Sequence, residues 1–266
     1  MKTRIISAIV MIAVLLPILL LGGWYFKILV MVLGVGAMYE LMKVRSNDKK
    51  IPVLLKVFAY LFIVAFLYFS TDFYNPGYTL DYRIFVALFL LFLIPIVFIN
   101  DTKKYNISDA LYLIGGCLFL SVSFNTFILI RNVDLVYLVY ILLITIMTDT
   151  FAYVTGFLVG KHKLCEKISP NKTIEGSVGG SLIGTIIGTL FYLYVINGNI
   201  NILLIVAVTL LFSVIGQIGD LLFSSIKRYY NVKDFSNLIP GHGGILDRCD
   251  SIIFVVITYI FFMNIL

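Results

Sequence analysis

The chain has 266 residues, 61% of them hydrophobic and only 13% charged, with a mean hydropathy of +1.05. A soluble globular domain averages about 45–50% apolar and about 25% charged residues, so this composition excludes one and points to an integral membrane protein. The net charge of +6 calls for no nucleic-acid partner, because anionic lipid head groups and phosphate substrates account for basic residues along a membrane face.

A bilayer core of ~30 Å takes about 20 apolar residues per helix. Nine apolar segments answer to that, at about 5–22, 24–42, 53–70, 83–99, 108–130, 134–158, 175–196, 200–224 and 248–266. They predict an all-α, polytopic bundle of about nine transmembrane helices forming one membrane-embedded domain over residues 1–266. Lys2 and Arg4 ahead of the first segment resemble the start of a secretory signal. The run is long and no small-x-small cleavage site follows, so a retained helix is expected. Of the 20 basic residues, all but Lys27, Arg83 and Arg131 fall on the side of the N-terminus, which the positive-inside rule assigns to the cytoplasm. The C-terminus is then outside, and the expected location is the bacterial inner membrane with the polar loops facing cytosolic nucleotide. Cys117, Cys165 and Cys249 have no metal-ligand spacing, and no disulfide is expected.

Residues 1–130 read as scaffold helices. Trp24 and Tyr25 are placed as interfacial anchors, and Glu40, near the cytoplasmic end of the second segment, is expected to snorkel to the interface. Residues 145–251 read as the catalytic half. Thr145, Asp149, Tyr153, Gly156 and Gly160 recur at three or four residues, which puts a polar, small-residue stripe on one helix face. A carboxylate at the bilayer centre costs about 2.5–3.5 kcal/mol on the insertion scale, so Asp149 should face a cavity, a metal or a basic partner.

Pro170 breaks what precedes it, and Thr173 or Asn171 is placed to cap the next helix, whose N-terminal N–H groups favour an anion. In that helix Gly176, Gly180, Gly184 and Gly188 form a small-xxx-small ridge, read as packing within the chain or across a homodimer. On the eighth segment Ser213, Gln217, Asp220, Ser224 and Lys227 make a second polar stripe. Gly216 and Gly219 beside it suggest a bulky neighbour close by.

Charge, glycine and histidine crowd into residues 220–251, DLLFSSIKRYYNVKDFSNLIPGHGGILDRCDS. Asp247 and Asp250, three apart, share one face if helical, and with Asp220 they suit a hard divalent cation such as Mg²⁺. Pro240–Gly244 cannot be regular helix, and its glycines let the backbone turn sharply and bring N–H groups to an anion. Together these features describe a site for a metal-bound polyphosphate.

The stretch closely resembles the signature of the phosphatidate cytidylyltransferases, the CDP-diacylglycerol synthases, through Ser225, Lys227-Arg228, Lys233-Asp234, Pro240–Gly244, Asp247-Arg248 and Asp250-Ser251. A second block resembles the same family: Asp149-x-x-Ala152-Tyr153, Gly160-Lys161, then Ser169-Pro170-x-Lys172-Thr173-x-Glu175-Gly176. Phe157 and Ile174 depart from it, standing where many members carry arginine and tryptophan.

The resemblance implies a membrane nucleotidyltransferase that joins CTP and phosphatidate to give CDP-diacylglycerol and pyrophosphate for phospholipid biosynthesis. It implies Mg²⁺ or another divalent cation on Asp220, Asp247 and Asp250, with Lys227, Arg228 and His242 completing the catalytic set. Substrate binding falls to Asp149, Lys161, Ser169, Lys172, Thr173, Glu175, Lys233, Asp234, Gly241, Gly243, Gly244 and Arg248. His242 either donates to a phosphate oxygen or braces the glycine loop. A CTP-dependent lipid kinase and a transporter are the alternatives, the first releasing CDP and the second calling for inverted repeats, of which none is visible.

Overall fold

The structure, a computed structural model, describes residues 2–46, 49–70, 82–99 and 101–266. The side chains of Lys2 and Arg4, which carry part of the charge argument, lie outside the described residues. Each apolar segment coincides with a helix: α1 (Lys2–Leu21), α2 (Gly23–Arg45), α3 (Val53–Phe69), α4 (Tyr82–Ile99), α5 (Ile107–Val133), α6 (Leu135–Val159), α7 (Ile174–Phe191), α8 (Ile202–Tyr229) and α9 (Leu246–Phe262). A π-helical turn, Tyr192–Ile196, continues α7. Among the described residues six helices (α2, α4, α5, α6, α7 with its π turn, and α8) are long and apolar enough to cross a membrane. Side chains such as Val97, Phe98 and Leu203 point outward, at 77–82% exposure. Lipid accepts such a surface where water would not. The chain is therefore an integral membrane protein with a polytopic helical bundle.

The helices pack as two compact units, Met1–Val133 with Tyr230–Arg248, and Asp134–Tyr229 with Cys249–Leu266. In the first, α2 packs on α3 and α5. Gly34 of α2 admits Ile63 and Leu67, and Ala37, Met38, Phe66, Leu113 and Leu120 close the core. Asp109 of α5, 2% exposed, is paired with Arg45 and Lys49, so this buried acid is not left uncompensated. The loop between α8 and α9 belongs to this unit.

In the second unit α6 and α7 form the most extensive helix pair of the chain. The glycine ridge is the reason: a Cβ on Gly176 would meet the Ala152 carbonyl at 2.6 Å, and one on Gly180 the Thr148 carbonyl at 2.6 Å. The ridge is thus used within the chain, and a homodimer would need another surface. Thr173 caps α7 as expected, its hydroxyl accepting from Gly176 N at 3.1 Å, and Asp134 caps α6 through Val136 N at 2.9 Å. α8 closes on both: Ser213 bonds to Thr148 (2.8 Å), and Gln217 Nε2 donates to Ser181 (2.7 Å) while its carbonyl accepts from Ser177 (2.6 Å). The bulky neighbour of Gly216 and Gly219 is α9, with Val255 and Phe254 against them. Between α6 and α7 lies an antiparallel hairpin, β1 (Lys163–Cys165) and β2 (Ser169–Thr173).

Candidate active site

The second unit gathers acids and lysines from four elements. α6 supplies Asp149, β2 Lys172, α8 Asp220 with Ser224 and Lys227, and α9 Asp250 with Ser251. Lys172 Nζ is ion-paired with Asp220 Oδ2. Ser224 donates to Asp220 Oδ1 (3.3 Å) and Ser251 to Asp149 Oδ2 (3.3 Å), while Ser251 N donates to Asp250 Oδ1 (2.9 Å). Asp220 lies close enough to act by its charge on both Asp149 and Asp250, as Asp149 does on Asp250, with Lys172 acting on Asp149 and Lys227 on Asp250. Three carboxylates thus share these two lysines.

The polar stripe of α8 therefore divides. Ser213 and Gln217 bond α8 to α6 and α7, and the acid cluster begins one turn on, at Asp220. Lys227 is buried at 8% exposure, and Arg228 Nε donates to the Ile168 carbonyl at 3.3 Å, tying the hairpin to the end of α8. Ser169 is half-buried in β2, beside that carbonyl.

Glu175, in the first turn of α7, folds the turn that leads into the hairpin. Its carboxylate accepts from Lys161 N (3.1 Å) and His162 N and meets His162 Nδ1 at 2.6 Å. Lys161 itself is exposed. Of the expected binding residues in this block, Thr173 and Glu175 shape the backbone, while Lys172 enters the acid cluster.

The first unit holds the glycine loop. Gly241 and Gly243 have φ of 77° and 83°, the left-handed region that favours glycine, and Ile239 N and Gly243 O close the turn at 2.9 Å. Asp247 Oδ2 accepts from Phe235 N and Gly244 N, both at 2.9 Å, so this carboxylate clamps the two ends of the loop. Arg248 Nε donates to the His242 carbonyl at 2.7 Å. His242 Nδ1 is buried and has no hydrogen-bond partner among the described residues. Lys233 and Asp234 are exposed.

Glu40 corrects an expectation. Far from snorkelling, it is fully buried at 0% exposure, its Oε1 accepting from Ser236 Oγ (2.6 Å) and Ile245 N (2.8 Å) and its Oε2 from Leu246 N (2.8 Å). The physical reason is that the Ser236 hydroxyl and two N–H groups at the start of α9 replace the water it would otherwise seek. Ser236 is the residue that sequence reasoning missed, and Glu40 the one it noticed but misplaced. The available signal was Gly36, one turn before Glu40 on α2, where a Cβ would sit 2.3 Å from Ile245 Cδ1.

Asp220 and Asp250 belong to the second unit, Asp247 to the first. Among the described residues no group of three His, Cys, Asp or Glu side chains is arranged to hold a metal ion.

Residues 2–266 match the model of the cytidylyltransferase family. Proteins called phosphatidate cytidylyltransferase are similar over nearly the whole length. Those of Staphylococcus haemolyticus and Staphylococcus aureus (strain COL) are each 35% identical, with 96% of this chain and 96% of the relative covered. The Staphylococcus epidermidis protein of the same name is 35% identical over 257 residues.

Proposed function

The chain belongs to the cytidylyltransferase family, and from that premise we propose that it transfers the cytidylyl group of CTP to phosphatidate, making CDP-diacylglycerol in the bacterial inner membrane. The observation that carries this reading is the Lys172–Asp220 pair beside Asp149 and Asp250, which brings together α6, α8, the start of α9 and the hairpin. Such a cluster offers both phosphate-binding cations and hard oxygen donors to a triphosphate.

A non-bridging oxygen of the phosphatidate phosphate attacks the α-phosphorus of CTP, the bond from that phosphorus to the α,β-bridging oxygen breaks, and pyrophosphate leaves. The nucleophile is already an anion, so no strong general base is needed, and positioning with electrostatics carries the rate. Mg²⁺, when bound, neutralises charge on the phosphates. Asp220 and Asp250 would hold it. Asp247, whose Oδ2 is taken by two loop N–H groups, is assigned to shaping the loop. Lys172 exchanges Asp220 for a substrate phosphate, and Lys227 and Arg228 add positive charge. In the glycine turn the N–H groups of Gly241 and Gly243 are offered to an anion, those of His242 and Gly244 being bonded to the Ile239 carbonyl and Asp247. Loops 161–173 and 229–244 face the cytoplasm, where CTP is found.

The purified protein, given CTP, phosphatidate and Mg²⁺ in detergent, is expected to release pyrophosphate and form a CDP-lipid. Release of CDP with phosphorylation of a lipid alcohol would replace this reading with that of a lipid kinase.

A further inference from the structure

Glu40 lies far in sequence from every motif that the proposed reaction uses, yet it is built into one of them. It is separated by 196 residues from Ser236 and by 206 from Leu246, and it bonds to both. The start of α9 needs partners for its first N–H groups, and no local side chain takes those of Ile245 and Leu246. Glu40 does so from another helix, placing a carboxylate where the helix dipole favours negative charge. The fit is close on all sides. A Cβ on Gly244 would stand 2.3 Å from Glu40 Oε1, and Gly36 leaves room on α2 for Ile245. The first turn of α9, so fixed, carries Asp247 and Arg248, which in turn hold Phe235, Gly244 and His242 of the loop.

We propose that Glu40 is a positioning residue of the transfer reaction, acting through the Pro240–Gly244 loop and the N-terminus of α9 without touching substrate. The inference rests on the cytidylyl-transfer reading. It requires a carboxylate and not its amide, because three donors converge on two acceptor oxygens. Glu40→Gln turns an NH₂ toward at least one of those donors and leaves the volume unchanged.

The test uses the full-length protein in detergent and two readouts, pyrophosphate release and hydrogen–deuterium exchange. Glu40→Gln is expected to lower kcat about 10- to 100-fold, as sub-ångström to ångström misplacement does. Amides of residues 235–246 should exchange at least ~10-fold faster while those of α6 and α7 keep their wild-type rates. Ser236→Ala, which removes one bond of the three, should lower kcat by about 3-fold, and added to Glu40→Gln it should do nothing more. If Glu40→Gln does not fold, the Ser236→Ala exchange pattern decides alone. Wild-type kcat and wild-type loop exchange in the variants would overturn the proposal, and so would faster exchange spread evenly over both units. Absence of pyrophosphate release by the wild-type protein would instead refute the cytidylyl-transfer reading, while the exchange data would still judge whether Glu40 holds the loop.

Discussion

Gly244→Ala is a substitution whose cost can be worked from the coordinates. Gly244 does not have the left-handed φ of Gly241 and Gly243, so alanine meets no backbone strain there, and the only obstacle is space. Its Cβ would lie 2.3 Å from Glu40 Oε1, 2.6 Å from Cδ and 2.7 Å from Oε2. Relief to an ordinary carbon–oxygen contact needs a shift of about 1 Å, which takes the 2.6 Å and 2.8 Å bonds of Oε1 out of hydrogen-bond range. Two charge-assisted bonds are worth roughly 1.5–3 kcal/mol each, a large part of a typical stability of about 5–15 kcal/mol. The loop therefore yields in place of the buried carboxylate, and Asp247 and Arg248 move with it. A displacement of that size costs about 100-fold in turnover. Pyrophosphate release measures the loss, and a melting curve in detergent should show the fold retained. Gly115→Ala is the control, since nothing lies within 4 Å of a Cβ there. If Gly244→Ala turned over within about 3-fold of wild type, the contact between Glu40 and the loop would not matter to the reaction.

Three further outcomes are expected. Asp220→Asn and Asp247→Asn should each lower kcat by at least ~100-fold, about 2.7 kcal/mol, but raised Mg²⁺ should partly restore only Asp220→Asn; equal rescue of both would return Asp247 to the metal. Gly180→Ala should act on the fold and not on the chemistry, because its Cβ would meet backbone atoms of Thr148 and Ala152 at 2.6 and 2.8 Å; a lowered melting temperature with unchanged KM is the expected signature. Lys167→Cys should resist an impermeant thiol reagent applied to intact cells and react after lysis, and labelling from outside would reverse the assigned topology.

The helices were legible in the sequence because lipid enforces their length: about 20 apolar residues in a row leave little else to form. The acid cluster was legible too, since Asp149 and Asp220 each sit on a polar stripe whose helical period can be counted. The period did not show where one use of a stripe ends and the next begins. Ser213 and Gln217 share a face with Asp220 but spend their bonds on Ser181 and Ser177. The hairpin at Lys163–Thr173 was read as loop, because strands of three and five residues, one containing Pro170, carry no alternation to count.

Glu40 was seen and misread for a different reason. A carboxylate near the end of an apolar helix has two ways to escape lipid, toward water or toward donors inside the protein, and local sequence does not distinguish them. What decides is a segment some two hundred residues away whose N–H groups find no local side chain and bond to Glu40 instead. The deficit is visible in the sequence as a helix start without a capping serine, threonine or asparagine, Gly243-Gly244-Ile245 preceding Leu246. An uncapped, glycine-led helix N-terminus and a carboxylate one turn after a glycine on another helix are complementary features. In a membrane chain, where water reaches few of them, each such feature implies that its complement exists elsewhere in the sequence.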